Sequence, residues 1–178
     1  SQILIKINNF LKSRLIEISG ILLIVASIFL LFSTISYSPS DPNFIYRPES
    51  TEIKNLGGFY GSVISDFLLQ SFGLISFLLI INIFDLGCKI IVIKKSLIEK
   101  KITLGINNLK IFFILIYTVF GTTSLSIFYN SSFWLIDNGN GGFVGKIVKD
   151  NIYKITNIFD NHYFAYSLAF ASLIFFIS

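Results

Sequence analysis

Apolar and polar residues in this chain are separated into long blocks rather than short alternations. Four stretches carry no charged side chain: Ile18–Tyr37, Phe67–Phe84, Ile111–Ile136 and Asn161–Ser178. A helix rises about 1.5 Å per residue, so about 20 residues cross a hydrocarbon core of about 30 Å. The first three stretches reach that length with little help from their flanks. The fourth has Tyr163–Ile177 as its apolar body and stops at the chain terminus. It is expected to be a span cut short, and a start at Ser1 rather than Met points the same way. The predicted fold class is an all-α membrane protein with residues 1–178 forming one domain of four transmembrane helices. The spans are placed at about 16–36, 63–84, 109–129 and 160–178. Outer connections then fall at about 37–61 and 130–158, and a cytoplasmic one at about 85–108.

Finer pattern fills in the connections. Before the first span, Ile3, Leu4, Ile7, Phe10, Leu11 and Leu15 recur three and four apart, predicting an amphipathic lead-in over Ser1–Glu17. The segment Ser38–Asn55 holds all three prolines, Pro39, Pro42 and Pro48, with Asp41, Asn43 and Ser50, and reads as a loop. A second turn-rich run, Asp137 to Gly142, follows Phe133 and Trp134, which suit a membrane interface. The outer half of the third span carries Gly121, Thr122, Thr123 and Ser124, small enough for a neighbouring helix to come close.

Composition supports the membrane reading: 53% of residues are hydrophobic and only 13% charged, too few for the water-facing surface of a domain this size. Little amphipathic helix remains to bury the four stretches inside a soluble protein. A cleavable signal peptide is also disfavoured, since no small-x-small exit precedes Ser38 and Pro39. The single cysteine, Cys88, excludes an intramolecular disulfide and suggests a reducing compartment.

Charge sets the expected orientation. With the N-terminus inside, nine Lys and Arg residues face three carboxylates on the cytoplasmic side, against five and seven outside. That bias predicts N-in, C-in topology. Lys89 to Lys101 is basic enough to touch phosphate, but Ile90, Ile91, Val92, Ile93, Leu97 and Ile98 interleave the lysines. The pattern suits an interfacial helix on anionic lipid better than a DNA-binding surface; a docking face for a cytoplasmic protein is the remaining option.

An internal repeat is the most informative local feature. GGFYGSVISD, Gly57–Asp66, matches GGFVGKIVKD, Gly141–Asp150, at both leading glycines, the phenylalanine, the third glycine and the aspartate. The chain therefore reads as two tandem helical hairpins, a parallel duplication rather than the inverted repeat of many transporters. The glycine pair should end the loop and start the next helix. Gly57 with Gly61 and Gly141 with Gly145 then give the small-xxx-small spacing of a close helix contact. Asp66 has two readings: a membrane carboxylate serving ion or proton traffic, or an interfacial group bonded locally. The second is preferred, because no ladder of ionisable residues continues across any span.

Candidate chemistry is sparse. His162 has no partner at metal-ligand spacing. Gly141 to Lys146 superficially resembles a phosphate loop, but Asn140 and Ile147 stand where Walker A needs Gly and Ser or Thr. Asn130-Ser131-Ser132 fits a weak glycosylation pattern. No catalytic, cofactor or metal residue is nominated.

Two outer-loop motifs, SYSPSDPNF at Ser36–Phe44 and NLGGFYGSVISDFLLQSFG at Asn55–Gly73, together with the GGFVGKIVKD copy, carry a resemblance. The chain resembles the N-terminal four-transmembrane region of the bacterial FtsK/SpoIIIE family of DNA translocases. Tyr37, Pro39, Asp41 and Pro42 match the first motif, and Asn55, Gly57, Gly58, Gly61 and Asp66 the second. Gly141, Gly142, Gly145 and Asp150 belong to the repeat copy. The resemblance implies that these residues shape the outer hairpins and helix packing rather than catalyse. It further implies a multi-pass protein of the bacterial inner membrane, at the division septum, coupling chromosome segregation to cell division. Its implied partners are the lipid bilayer, septal division proteins and further copies of itself, six if a hexameric motor gathers them. DNA contact, ATP and Mg2+ belong by the same implication to a C-terminal motor, which this chain lacks along with the linker. The chain departs from the family in its Lys, Asn and Ile richness and in the polar stretch Asn151–His162. The alternatives are a small channel or transporter subunit, using Asp66, Gln70 and Asn82, or a scaffold subunit of an unrelated membrane complex.

Overall fold

The computed structural model describes residues 2–46, 52–98, 108–131, 134–135, 137–154 and 162–177. Those residues form six α-helices: α1 (Gln2–Ile35), α2 (Gly58–Phe72), α3 (Ser76–Ile98), α4 (Asn108–Phe128), α5 (Gly142–Tyr153) and α6 (His162–Ile177), with a 3-10 turn at Gly73–Ile75 between α2 and α3. No strand occurs among the described residues.

Three helical stretches are long and apolar enough to cross a membrane: Ile5–Ile35, Gly58–Val92 and Lys110–Phe128. Their side chains are distributed in reverse of a soluble core. In the most apolar window of the first, only 11% of residues are buried. Leu15, Leu22, Phe32 and Ile35 all point outward. The fully buried positions are instead largely hydroxyls, including Ser27, Ser33, Thr34, Ser62, Ser65, Thr122, Thr123 and Ser126. Many bond back to their own helix: Ser27 Oγ donates to Ile24 O at 2.7 Å, Thr34 Oγ1 to Leu30 O at 2.6 Å, Thr122 Oγ1 to Thr118 O at 2.8 Å and Thr123 Oγ1 to Val119 O at 2.7 Å. Hydrocarbon offers polar groups no partner, so they turn inward and apolar side chains face out.

α1 is one uninterrupted helix, about 50 Å long at the standard rise. The amphipathic lead-in and the first span are therefore a single element. α1 packs along α3 and touches α2; α4 packs along α6 and touches α5. Each half repeats one plan, a long helix carrying a short helix and an antiparallel partner, and α2 meets α5 where the halves join. At the α1–α3 crossing a Cβ on Gly20 would lie 3.0 Å from Gly87 O, and one on Gly87 would lie 2.9 Å from Gly20 O, so the two backbones are nearly in contact. In the second half, Gly121 of α4 makes room for Ile75 and for Ser172 of α6, whose hydroxyl donates to Tyr117 O at 3.0 Å.

Four element boundaries differ from the sequence reading. The expected single span at 63–84 is bent: α2 starts earlier, at Gly58, and gives way at Gly73 to the 3-10 turn. The expected separate interfacial helix in 85–108 is the continuation of α3, which meets no helix breaker before Ile98; residues 99–107 lie outside the described set. The expected outer loop 130–158 contains α5, a helix launched by the glycine pair Gly141–Gly142. The apolar helix nearest the C-terminus, α6, has 16 residues, about 24 Å, less than a bilayer core of about 30 Å.

Candidate functional site at the loop end of the bundle

Nearly all the candidate residues collect at one end, where α1 and α4 stop and α2 and α5 begin. α1 ends in a turn, with Ser36 N donating to Phe32 O at 3.0 Å and Tyr37 N to Thr34 O at 3.4 Å. Pro39 and Pro42 prevent the helix from resuming. Pro39 is exposed and Pro42 buried.

Asp41 holds this loop shut. The residue is 3% exposed, and its two carboxylate oxygens accept Lys54 N at 3.0 Å and Asn55 N at 2.8 Å. A buried carboxylate is costly without such charge-assisted bonds. Behind it, Ser62 Oγ of α2 donates to Pro42 O at 2.5 Å, and Leu56 N donates to Ser36 Oγ at 2.9 Å. Arg47 to Thr51 lie outside the described residues.

Asn55 joins three elements. Its Nδ2 donates to Ser33 O at 2.8 Å and Ser65 Oγ at 3.2 Å, while its Oδ1 accepts Gly57 N at 2.9 Å. Ser33 O is among the last carbonyls of α1, which have no partner within the helix. In the second half the equivalent carbonyl, Ser126 O near the end of α4, is capped by Lys149 Nζ at 3.2 Å. The two halves solve the same problem with different residues.

The repeated glycines take matching places. Gly58 and Gly142 open α2 and α5 with φ of 61° and 66°, a conformation that costs glycine alone nothing. Gly57 and Gly61 straddle the side chain of Ser33, and Gly141 and Gly145 straddle that of Ser126. A Cβ on Gly61 would lie 2.7 Å from Ser33 Oγ, and one on Gly145 2.6 Å from the Thr122 carbonyl carbon. Each Gly-x-x-x-Gly pair thus packs within its own hairpin. The two serine hydroxyls are the buried side-chain oxygens that find no hydrogen-bond partner among the described residues, so both serines are small rather than bonded.

The aspartates of the repeat do not match. Asp66 of α2 accepts Tyr37 OH at 3.0 Å; Gln70 Nε2 donates to the same hydroxyl at 3.3 Å, and Asn138 Nδ2 donates to Gln70 Oε1 at 3.0 Å. This chain of four side chains runs from the first loop through α2 to the second loop. Burial foremost, with the Asp66 charge adding to it, pushes the Tyr37 hydroxyl up to about 12, so it keeps its proton and donates. Its ring tilts against Trp134, with centroids 6.1 Å apart. Asp150, on α5, is exposed. Four residues beyond Ser33 stands Tyr37, but four beyond Ser126 stands Asn130, so the second half lacks the phenol that engages Asp66.

Backbone reinforces the same junction. Leu74 N, freed where the helix breaks, donates to Asn140 O at 2.9 Å. Gly73 has φ 56°, and a Cβ there would collide with that carbonyl and lie 2.8 Å from Gly142 N. Ser76 Oγ returns to Leu68 O at 2.7 Å. The groups released by the bend are therefore paired again.

Chemically, this end is a set of clamps. No group of three His, Cys, Asp or Glu side chains suited to a metal is found among the described residues. Gly142 to Lys146 form the start of α5, a helix packed on α4, and Gly141 precedes it. The His162 side chain lies outside the described set. Several participants escaped the sequence reading: Ser33, Ser126, Gly73 and Asn138 here, and away from this end the Gly20–Gly87 contact.

The family model described as the 4TM region of DNA translocase FtsK/SpoIIIE matches residues 12–178. The chain belongs to that family. A relative described as DNA translocase FtsK, from Vibrio vulnificus (strain CMCP6), is 35% identical over 74 residues, covering 42% of this chain and 7% of the relative. The match thus spans a small part of that protein's length. No solved structure matches significantly. Taken with its outward-facing apolar helices, the FtsK/SpoIIIE match makes this chain a membrane-anchor region of a multi-pass inner-membrane protein in a DNA-translocase family. Both glycine-pair copies and the Asp41 and Asn55 clamps lie inside the matched range.

Proposed function

We propose that this FtsK/SpoIIIE region is a four-span, N-in and C-in anchor that holds a DNA translocase at the division septum of the bacterial cytoplasmic membrane. In this reading it couples chromosome segregation to division by fixing where an ATP-driven motor sits. Double-stranded DNA, ATP and Mg2+ are handled by that motor, and this region handles lipid, other copies of itself and septal membrane proteins. A hexameric motor would gather six anchors.

The family match over residues 12–178 carries the reading. Support for a fourth span comes from α6, which pairs with α4 as α3 pairs with α1. Support for the inward-facing ends comes from the lysine bias of the short connections. The residues a channel would need are engaged structurally: Asp66 and Gln70 in the loop-end chain, and Asn82 Nδ2 on Tyr117 OH at 2.8 Å.

The test is a pair of fusions in a dividing bacterium. A fluorescent protein after Ser178 should glow from the cytoplasmic side and concentrate at midcell. An alkaline phosphatase inserted after Asn43 should be active outside. Uniform membrane fluorescence would remove the septal role, and phosphatase activity from the C-terminal position would overturn the topology.

A further inference from the structure

A cavity of about 320 Å³ opens at the end of the bundle opposite the loops, where α3, the first turn of α4 and the last turn of α6 meet. Its rim carries Asp85, Lys89 and Lys110, and its wall includes Phe113, Tyr117 and Phe175. Asp85 Oδ2 accepts Lys89 Nζ at 2.5 Å and lies 3.7 Å from Lys110 Nζ. Two ammonium groups thus share one carboxylate, and both lysine side chains remain accessible, at 55% and 36% exposure. The described lining carries a net positive charge.

Below the rim the chemistry changes. The Phe113 and Phe175 rings lie 5.4 Å apart, and both are half-buried. The Asn82 amide is committed to Tyr117. The cationic rim lies beside the start of α4 and the end of α6; on the membrane-anchor reading it stands at headgroup depth, with the aromatic wall running from it toward the hydrocarbon. Free phosphate would satisfy the rim and leave the wall unused. An anionic amphiphile satisfies both.

We propose that this cavity binds the headgroup phosphate of an anionic phospholipid between Lys89 and Lys110, with an acyl chain along Phe113 and Phe175. Asp85 sets the spacing of the two ammonium groups and limits affinity by competing for them. The proposal rests on the membrane-anchor reading.

The experiment uses the whole chain reconstituted in phosphatidylcholine vesicles with or without phosphatidylglycerol. Flotation reports insertion, and native mass spectrometry of the detergent-released protein reports retained lipid. Insertion into both vesicles is expected, with phosphatidylglycerol retained preferentially. A lysine near an anionic surface contributes enough that the K89Q/K110Q double variant should lose about tenfold or more of that retention. Asp85→Asn should increase it, while Lys12→Gln, on α1 and outside the cavity lining, should leave it unchanged. Millimolar inorganic phosphate should not displace the lipid. The proposal is overturned if the double variant retains phosphatidylglycerol like the parent, if Asp85→Asn does not raise retention, or if Lys12→Gln lowers it equally. Displacement by phosphate would also overturn it, assigning the rim to the free anion. A double variant that fails to fold leaves Asp85→Asn as the deciding measurement. A chain that floats without lipid preference defeats this inference alone; a chain that does not float defeats the anchor reading as well.

Discussion

Gly61 and Gly145 occupy corresponding places in the repeat, yet their surroundings yield differently to a methyl group. At Gly61 the nearest atoms belong to side chains, the Asn55 amide and the Ser33 hydroxyl, which can shift without moving main chain, the first at some cost to its hydrogen bonds. At Gly145 the nearest atom is a backbone oxygen, that of Thr122, which cannot. Overpacking costs about 1–3 kcal/mol where neighbours are fixed. Gly145→Ala is therefore expected to lower the thermal midpoint in detergent clearly more than Gly61→Ala; equal shifts would show that the α4–α5 contact is as compliant as α1–α2. Tyr37 permits a second prediction, in pH. Its hydroxyl is pushed up from 10.0 to about 12, so the folded state favours the protonated phenol. The resulting stability is complete below pH 10 and is lost as pH rises toward 12. Tyr37→Phe should remove that dependence, so the difference between parent and variant melting curves should shrink across this window.

At the scale of elements, the bend at Gly73 decides how α2 leaves α3. Its φ of 56° and the Asn140 carbonyl against its α-carbon both exclude a side chain. Gly73→Ala should force either the bend or the second loop to move, costing about 1–3 kcal/mol and exposing the Leu74 amide to hydrogen exchange. Unchanged protection at Leu74 would show that the bend does not depend on this contact. This joint was illegible in the sequence for a physical reason. A lone glycine in an apolar run can serve packing as readily as a break, and its partner is a main-chain oxygen far along the chain, with no side chain to announce it. The glycine pairs were legible because turn conformation and close approach both demand glycine, and because two copies repeat. Their serine counterparts were not, since the connection from Ser33 to Gly57 is longer than that from Ser126 to Gly141, which hides the correspondence. The glycine pair announced a helix start at Gly141–Gly142, but the span bounds left α5 within the outer connection, because its lysines and asparagine mask a short amphipathic helix. Asp41 and Asn55 could be picked out through their motifs, but their bonds are to backbone groups and follow only from the fold.

At the scale of the molecule, two hairpins of the same plan are fastened at their loop end by one backbone bond, Leu74 to Asn140, and one side-chain chain centred on Gln70. Within each hairpin the long helices are tied by extended packing; between hairpins the described polar ties are few, those at the loop end being joined at the other end by Asn82 on Tyr117 and by the Asp85–Lys110 pair. A membrane anchor gains from this division, because its hairpins stay intact while their mutual angle is set by a small number of contacts. Gln70 is the side chain that faces both ways, accepting from Asn138 and donating to Tyr37. Gln70→Ala removes both bonds yet leaves Tyr37 on Asp66 and leaves the packing inside each hairpin untouched. Spin labels at the exposed positions Tyr60 on α2 and Phe143 on α5 report the angle between halves, and labels at Ile21 on α1 and Phe84 on α3 report the first hairpin. The first distance distribution should broaden in Gln70→Ala while the second stays narrow. Broadening of both would mean that the side-chain chain also holds the hairpin together, and broadening of neither would assign the junction to the ties that remain, the Leu74–Asn140 backbone bond together with the Asn82–Tyr117 and Asp85–Lys110 contacts.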